Sequence, residues 1–217
     1  MSAPSMSMNK VIHCAVRRDL RRFRTALDQF SDGDTARAAA LHRAWANFSA
    51  QLTEHHEGEH EVAWPALTAI GVSESSIATF DQEHETMAAA LRAAGAAMDQ
   101  LAKTATLADA QAAGTAMAAL DEATTAHLDH EEQEVEPLLI SKHDDPAVKQ
   151  MGKQFSKRSS IGVAGTFFAW MEDGASPAEK AALRESVPGP VISIIGGLFG
   201  RRYRKEVAPV WAHRPDR

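Results

Sequence analysis

Apolar residues recur along the first two thirds of this chain in alternating steps of three and four, the signature of helices that bury one stripe. Residues 11–30 carry the seam His13, Val16, Leu20, Phe23, Leu27 and Phe30, and Ser31-Asp32-Gly33-Asp34 breaks it. Residues 35–64 carry Trp45, Phe48, Leu52, His55, Glu59 and Val62, and Pro65 is expected to kink or end that helix. A third helix over 76–103 buries Ile77, Phe80, His84, Met87, Leu91, Ala94, Met98 and Leu101. A fourth over 107–139 buries Met117, Leu120, Thr124, His127, Glu131, Glu134 and Leu138. Four seamed helices joined by short polar connections predict an all-α fold, an up-down-up-down four-helix bundle over residues 1–141.

Residues 142–217 have a different texture. A helix is expected over 147–171, and Ser176-Pro177-Ala178-Glu179 starts a short one with a capping pattern. The apolar run 187–200 is interrupted by Pro and Gly and falls short of the ~20 residues that span a bilayer. This part reads as a C-terminal helical extension packing on the bundle or on a second subunit, with a homo-oligomer contact placed at 187–211. Its arginines leave membrane-surface or anion binding as the other reading.

Charge sharpens that division. The chain is −6 overall, but residues 1–141 are −11 and residues 142–217 are +5. A nucleic-acid binder is expected to show a basic face on its main domain, so none is expected as a partner here. Arg17, Arg18, Arg21, Arg22 and Arg24 of the first helix read as a solvated face. The single cysteine, Cys14, forbids an internal disulfide and reads as a small core residue. It points to a reducing cytoplasm. Residues 1–10 do not resemble a signal peptide.

Two histidines and a glutamate interrupt the seams twice, at the same spacing. His55, Glu59 and Pro65 follow H-x3-E-x5-P, and so do His127, Glu131 and Pro137, 72 residues later. His13 precedes the first copy by 42 residues and His84 the second by 43. Residues four apart share a helix face, and periodicity puts all six in the interior, where an unpaired carboxylate is strongly unfavourable. In an antiparallel bundle the starts of the first and third helices and the ends of the second and fourth share one level, so the six converge. His56 and His60 form a rival pair; His55 and Glu59 are preferred because they match the second copy. His60 and His130 are candidates for outer partners or extra ligands.

Four imidazoles and two carboxylates without a thiolate suit iron, manganese or zinc. Two metals explain the count better than one: His13 and His55 on the first, His84 and His127 on the second, Glu59 and Glu131 bridging. Neither metal is then saturated at six ligands, so positions remain for an exogenous oxygen ligand.

Two copies of H…HxxxE in a four-helix bundle resemble the hemerythrin family, specifically the bacterial hemerythrin-like (HHE cation-binding) proteins, over residues 11–140. The resemblance implies two non-haem irons per chain held by His13, His55, Glu59, His84, His127 and Glu131. It implies a small-molecule ligand: dioxygen, hydrogen peroxide or nitric oxide. Oxygen-carrying hemerythrins have a further histidine four residues after the first on the third helix and a more widely spaced Asp on the fourth. Here those features are replaced by Ala88 and by Glu131 at the shorter spacing. The second iron is then more open, which favours oxygen sensing or catalase-like scavenging over simple carriage. Iron handling with ferroxidase activity, or a structural helical bundle without metal, are the alternatives.

Overall fold

The computed structural model describes residues 4–158 and 160–212, and every regular element among them is helical. The sequence-based bounds 1–141 and 142–217 therefore run past the described residues at both ends, as does the leader reading of residues 1–10 at residues 1–3. In chain order the main helices are α1 (Met8–Asp28), α2 (Thr35–Gly58), a π-helical turn (Glu59–Ala63), α3 (Trp64–Ile70), α4 (Glu74–Thr104) and α5 (Leu107–Ser141). Each of the four long helices starts at a capping side chain. Ser7, Asp34, Ser73 and Thr106 accept from the backbone N–H three residues on, each worth about 1 kcal/mol.

The seams become the core. Val16, Leu20, Phe23 and Leu27 of α1 meet Trp45, Phe48 and Leu52 of α2, Met87, Ala94, Met98 and Leu101 of α4, and Met117 and Leu120 of α5 in one apolar cluster. α5 packs along α4 and α1, and α2 along α4. At one end the two connections touch: Gly33 donates its N–H to the Ala105 carbonyl (2.8 Å), and Leu107 to Asp32 Oδ1 (2.7 Å). Gly33 has φ 78°, a left-handed turn that glycine adopts at no steric cost.

Two expectations change at the other end. Helix two does not stop at Pro65. Its ladder widens, with Trp64 N–H bonding the Glu59 carbonyl, and then continues through Pro65 to Ile70. In α5 the stripe leaves Glu131 in steps of four, so Val135 and Leu139 are buried while Glu134 turns outward to His130.

Beyond α5 lie α6 (Pro146–Arg158), α7 (Ile161–Glu172), α8 (Pro177–Ser186), α9 (Gly189–Val191), a π turn (Ile192–Gly196), α10 (Gly197–Phe199), α11 (Arg201–Glu206) and a 3-10 turn (Ala208–Trp211). The single helix expected over 147–171 is two: Ser160 is extended (φ −65°, ψ 158°) and caps α7 by accepting from Val163 N–H. The capping box at Ser176 and Glu179 forms as its sequence implies. α6 lies on α3 and the π turn, and α7 and α8 lie on α1. α7 crosses the 189–200 segment at small residues; a Cβ on Gly200 would stand 2.6 Å from Ala169 Cβ. No described helix is long and apolar enough to cross a membrane.

In the arginine run of α1, Arg21 and Arg24 are exposed as expected, but Arg17, Arg18 and Arg22 are partly buried and paired rather than solvated. Arg18 and Arg22 bond the buried Asp19 at 3.0 and 3.1 Å, and Asp19 Oδ2 accepts the Trp170 indole N–H at 2.8 Å. Arg18 also donates to the Trp170 carbonyl, and Arg22 to Asp173. Arg17 pairs with Asp129 and Glu132, and Arg24 with Asp121. The run is the strip on which α7 and α5 are held. Cys14, on the same helix, is half-buried rather than a core residue.

Candidate metal centre

All six sequence-predicted residues meet at the end of the helices remote from Gly33. His13 comes from the second turn of α1, His55 from the last turn of α2, and Glu59 from the first position of the π turn. His84 comes from α4, and His127 and Glu131 from α5. His13, Glu59, His127 and Glu131 are each no more than 2% exposed.

The carboxylates stand between imidazoles. Glu59 Oε1 is 3.2 Å from His55 Nε2, and its Oε2 is 3.4 Å from His84 Nε2. Glu131 Oε2 is 3.2 Å from His13 Nε2 and 4.0 Å from His127 Nε2. His84 Nε2 and His127 Nε2 face each other at 3.0 Å. Two clusters result, each with its donor atoms within 4.8 Å of one another: His13, His55 and Glu59, and His56, Glu59, His84 and His127. Glu59 belongs to both.

Several of these atoms lack alternative partners. His13 Nε2, His55 Nε2, His56 Nε2, both Glu59 oxygens and Glu131 Oε2 are buried without a hydrogen bond. The 3.2 Å approaches are close in distance but out of hydrogen-bond alignment. Buried polar atoms are otherwise nearly always paired, so converging lone-pair donors without partners fit a cation. Imidazole nitrogen and carboxylate oxygen are also the donor types that iron, manganese and zinc take.

Burial sets the protonation of the group. It holds His55 and His56 well below the ordinary imidazole value, reinforced by neighbouring imidazoles, and it lowers His84 to about 4 with help from His127. Burial also lowers His127, against the pull of Glu131 and Glu83. Neutral imidazole is the ligating form. His13 is the exception: burial opposes its charge, but Glu131 and Glu132 outweigh it and raise the value. Burial resists ionisation of Glu131 too, yet His13 above all brings it down to about 2. Glu59 moves the other way, well above the carboxylate range, because it is buried and faces Glu131.

A surrounding layer fixes the rings. His13 Nδ1 donates to Glu132 Oε1 (3.0 Å), which Arg17 also holds, and His127 Nδ1 donates to Glu83 Oε2 (2.9 Å). A carboxylate only accepts, so both rings carry the proton on Nδ1 and present Nε2 inward. Asn9 Nδ2 donates to Glu131 Oε1 (3.1 Å). Trp64 lies nearly parallel to the His84 ring, with centroids 5.6 Å apart. Of the two outer candidates, His130 shares Glu83 with His127 (2.8 Å), whereas His60 is exposed and bonds Asp81.

Sequence reasoning passed over Glu83, Glu132 and Asn9, and it named His56 only as half of a rival pair with His60. Glu83 immediately precedes His84 and Glu132 immediately follows Glu131, and acids beside a buried stripe look like surface charge. His56 sits off the counted seam by one residue.

A family model described as the hemerythrin HHE cation binding domain matches residues 10–139, which spans α1 through nearly all of α5. No curated protein and no solved structure matches the chain.

Proposed function

The chain belongs to the hemerythrin HHE cation binding domain family, and from that premise we propose that it is a non-haem di-iron protein that binds and reacts with dioxygen or hydrogen peroxide. Its frame is an up-down-up-down bundle of residues 1–141, covered by a helical extension at 142–217. His13 and His55 would hold the first iron and His84 and His127 the second, with Glu59 and Glu131 as the carboxylates available to both. One observation carries this reading: the two oxygens of Glu59 face histidines of different clusters, at 3.2 and 3.4 Å. A carboxylate serving a single ion has no need of that placement.

Two irons held together supply a two-electron exchange with a peroxide-level ligand; the chain supplies binding, orientation and exclusion of water. Glu132 and Glu83 hold the Nδ1 protons of His13 and His127 and so aim Nε2 of each ring inward. Trp64, stacked on His84, and Phe80, edge-on to His127 at 6.0 Å, wall the second cluster with apolar surface. Nitric oxide, similar in size to dioxygen, fits the same enclosure.

The test is metal content of anaerobically purified protein, then an absorption spectrum as air is admitted. Two irons per chain and a new near-ultraviolet or visible band are expected. A band that decays, with oxygen evolved from added peroxide, marks an enzyme; a band reversed by removing oxygen marks a carrier or sensor. Glu59→Gln keeps the side-chain volume but removes one oxygen donor, and should lower bound iron to one or fewer. A folded wild-type protein that takes up no iron sinks the proposal.

A further inference from the structure

His55 and His56 are consecutive, and consecutive residues on a helix point about 100° apart. One of such a pair ordinarily faces outward. Here both rings place a nitrogen in the interior: Nε2 of His55 and Nε2 of His56 are both buried. His55 lies edge-on to His13, with ring centroids 5.2 Å apart, and belongs to the first cluster. His56 lies on the other side. Its ring stacks on His84, with centroids 4.2 Å apart and 27° between planes, and stands edge-on to His127 at 5.8 Å.

The Nε2 atom of His56 is buried and has no hydrogen-bond partner. A ring nitrogen of His56 lies with donor atoms of His84, His127 and Glu59, all inside 4.8 Å of one another. A histidine present only to fill space would find a hydrogen-bond acceptor or donor for that nitrogen, or leave it in water. His84 and His127 bond each other through Nε2 at 3.0 Å, which leaves the buried His56 Nε2 and the two Glu59 oxygens as unpartnered lone-pair donors that a positive charge among them would stabilise.

Resting on the two-iron reading above, we propose that His56 is a fifth imidazole ligand, bound through Nε2 to the second cation together with His84, His127 and Glu59. The His55-His56 dipeptide then straddles the centre, one ring to each ion. The ligand count becomes unequal. The second cation has three imidazoles, the first has His13 and His55 alone, and both share the carboxylates.

Zinc loading tests the assignment without redox chemistry. Wild type, His56→Ala, His56→Gln and the exposed-residue control His60→Ala are loaded with Zn2+ and titrated against a competing chelator, with helix content checked by circular dichroism. The expected result is two zinc ions in wild type and in H60A. The His56 variants should keep the first ion and bind the second at least about tenfold more weakly. Nitrogen NMR of zinc-loaded wild type gives an answer independent of variant folding: the His56 Nε2 resonance should move into the metal-bound range. If wild type holds two zinc ions while that resonance stays at its metal-free position, or folded H56A keeps both affinities, the His56 assignment is wrong and the six-ligand centre stands. A wild-type chain that takes up no zinc overturns the two-cation reading and this inference with it.

Discussion

Glu83 illustrates what a single residue contributes without touching the cluster. It accepts from Nδ1 of both His127 and His130, at 2.9 and 2.8 Å, and so fixes the tautomer that leaves His127 Nε2 facing His84. Removing an outer acid of this kind typically costs 10–100-fold in metal affinity. Glu83→Ala should therefore weaken the second ion by about that factor while leaving the first, anchored by His13 and Glu132, unchanged; chelator competition measures both. Equal weakening of the two ions would mean that Glu83 acts on the fold rather than on one ring. The six residues brought together here were legible in the sequence because duplication at 71–72 residues is a pattern that chance rarely repeats. Glu83 and Glu132 were not, since an acid next to a seam position looks the same whether it faces water or a ring nitrogen. His56 was named but ranked below His55 for a related reason. Seam counting selects one residue per step, whereas the interior wedge of a helix is about 100° wide and admits two neighbours.

At the scale of the element, the π turn Glu59–Ala63 is where the second helix departs from regularity. Such a turn inserts one residue into the ladder, so everything after it is rotated relative to an unbroken helix. That rotation is what buries Trp64, Leu67 and Ile70 against Phe80, Val135 and Leu139. Pro65, with no N–H to give, is tolerated just past the turn. Pro137 sits at the same interval in the second copy, yet α5 continues through it without a widened turn. The repeat therefore predicted the residues and not the local backbone. Inserting one alanine after the exposed Glu61 should turn everything downstream by about a further 100° and swing those three side chains off their cluster. At ~1.5–3 kcal/mol for each buried large apolar side chain, the loss is about 4.5–9 kcal/mol, visible as a lower unfolding midpoint. The ion held by His13 and His55 lies upstream and should survive in the folded fraction. An unchanged midpoint would mean that the register of α3 is set by α6 and not by the turn. Helix existence and core stripe were readable from periodicity. The break at Ser160 was not, because Ser159-Ser160 within an apolar-periodic stretch is compatible with both a continuous helix and a fresh cap.

Across the whole molecule, the chain after α5 is joined to α1 by a buried polar hub that net charge did not reveal. The bundle is acidic and the tail basic, yet at the junction the signs are crossed. Arg18 and Arg22 of the bundle take Asp173 and the Trp170 carbonyl of the tail, around Asp19. Tyr203 closes the hub: it is 1% exposed, and its hydroxyl donates to Asp173 Oδ2 at 2.8 Å. Burial, then the nearby Asp19 and Asp173, push its ionisation above the ordinary phenol range. The folded form thus holds this proton more tightly than the unfolded chain does. The stability this contributes is complete below the unfolded value of about 10 and is lost as pH rises beyond it. Tyr203 is the chain's single tyrosine, so tyrosinate absorbance reports it alone. In denaturant it should titrate near the ordinary value. In the native protein it should resist until the helical signal is lost with it, and Tyr203→Phe should remove that alkaline sensitivity at the cost of one buried hydrogen bond, about 1 kcal/mol at neutral pH. Tyrosinate appearing near the ordinary value while the helices stay intact would mean that water reaches the hub. The extension would then be only loosely attached to the helices that carry the metal centre, and a stable cover over that part of the bundle would have to be given up.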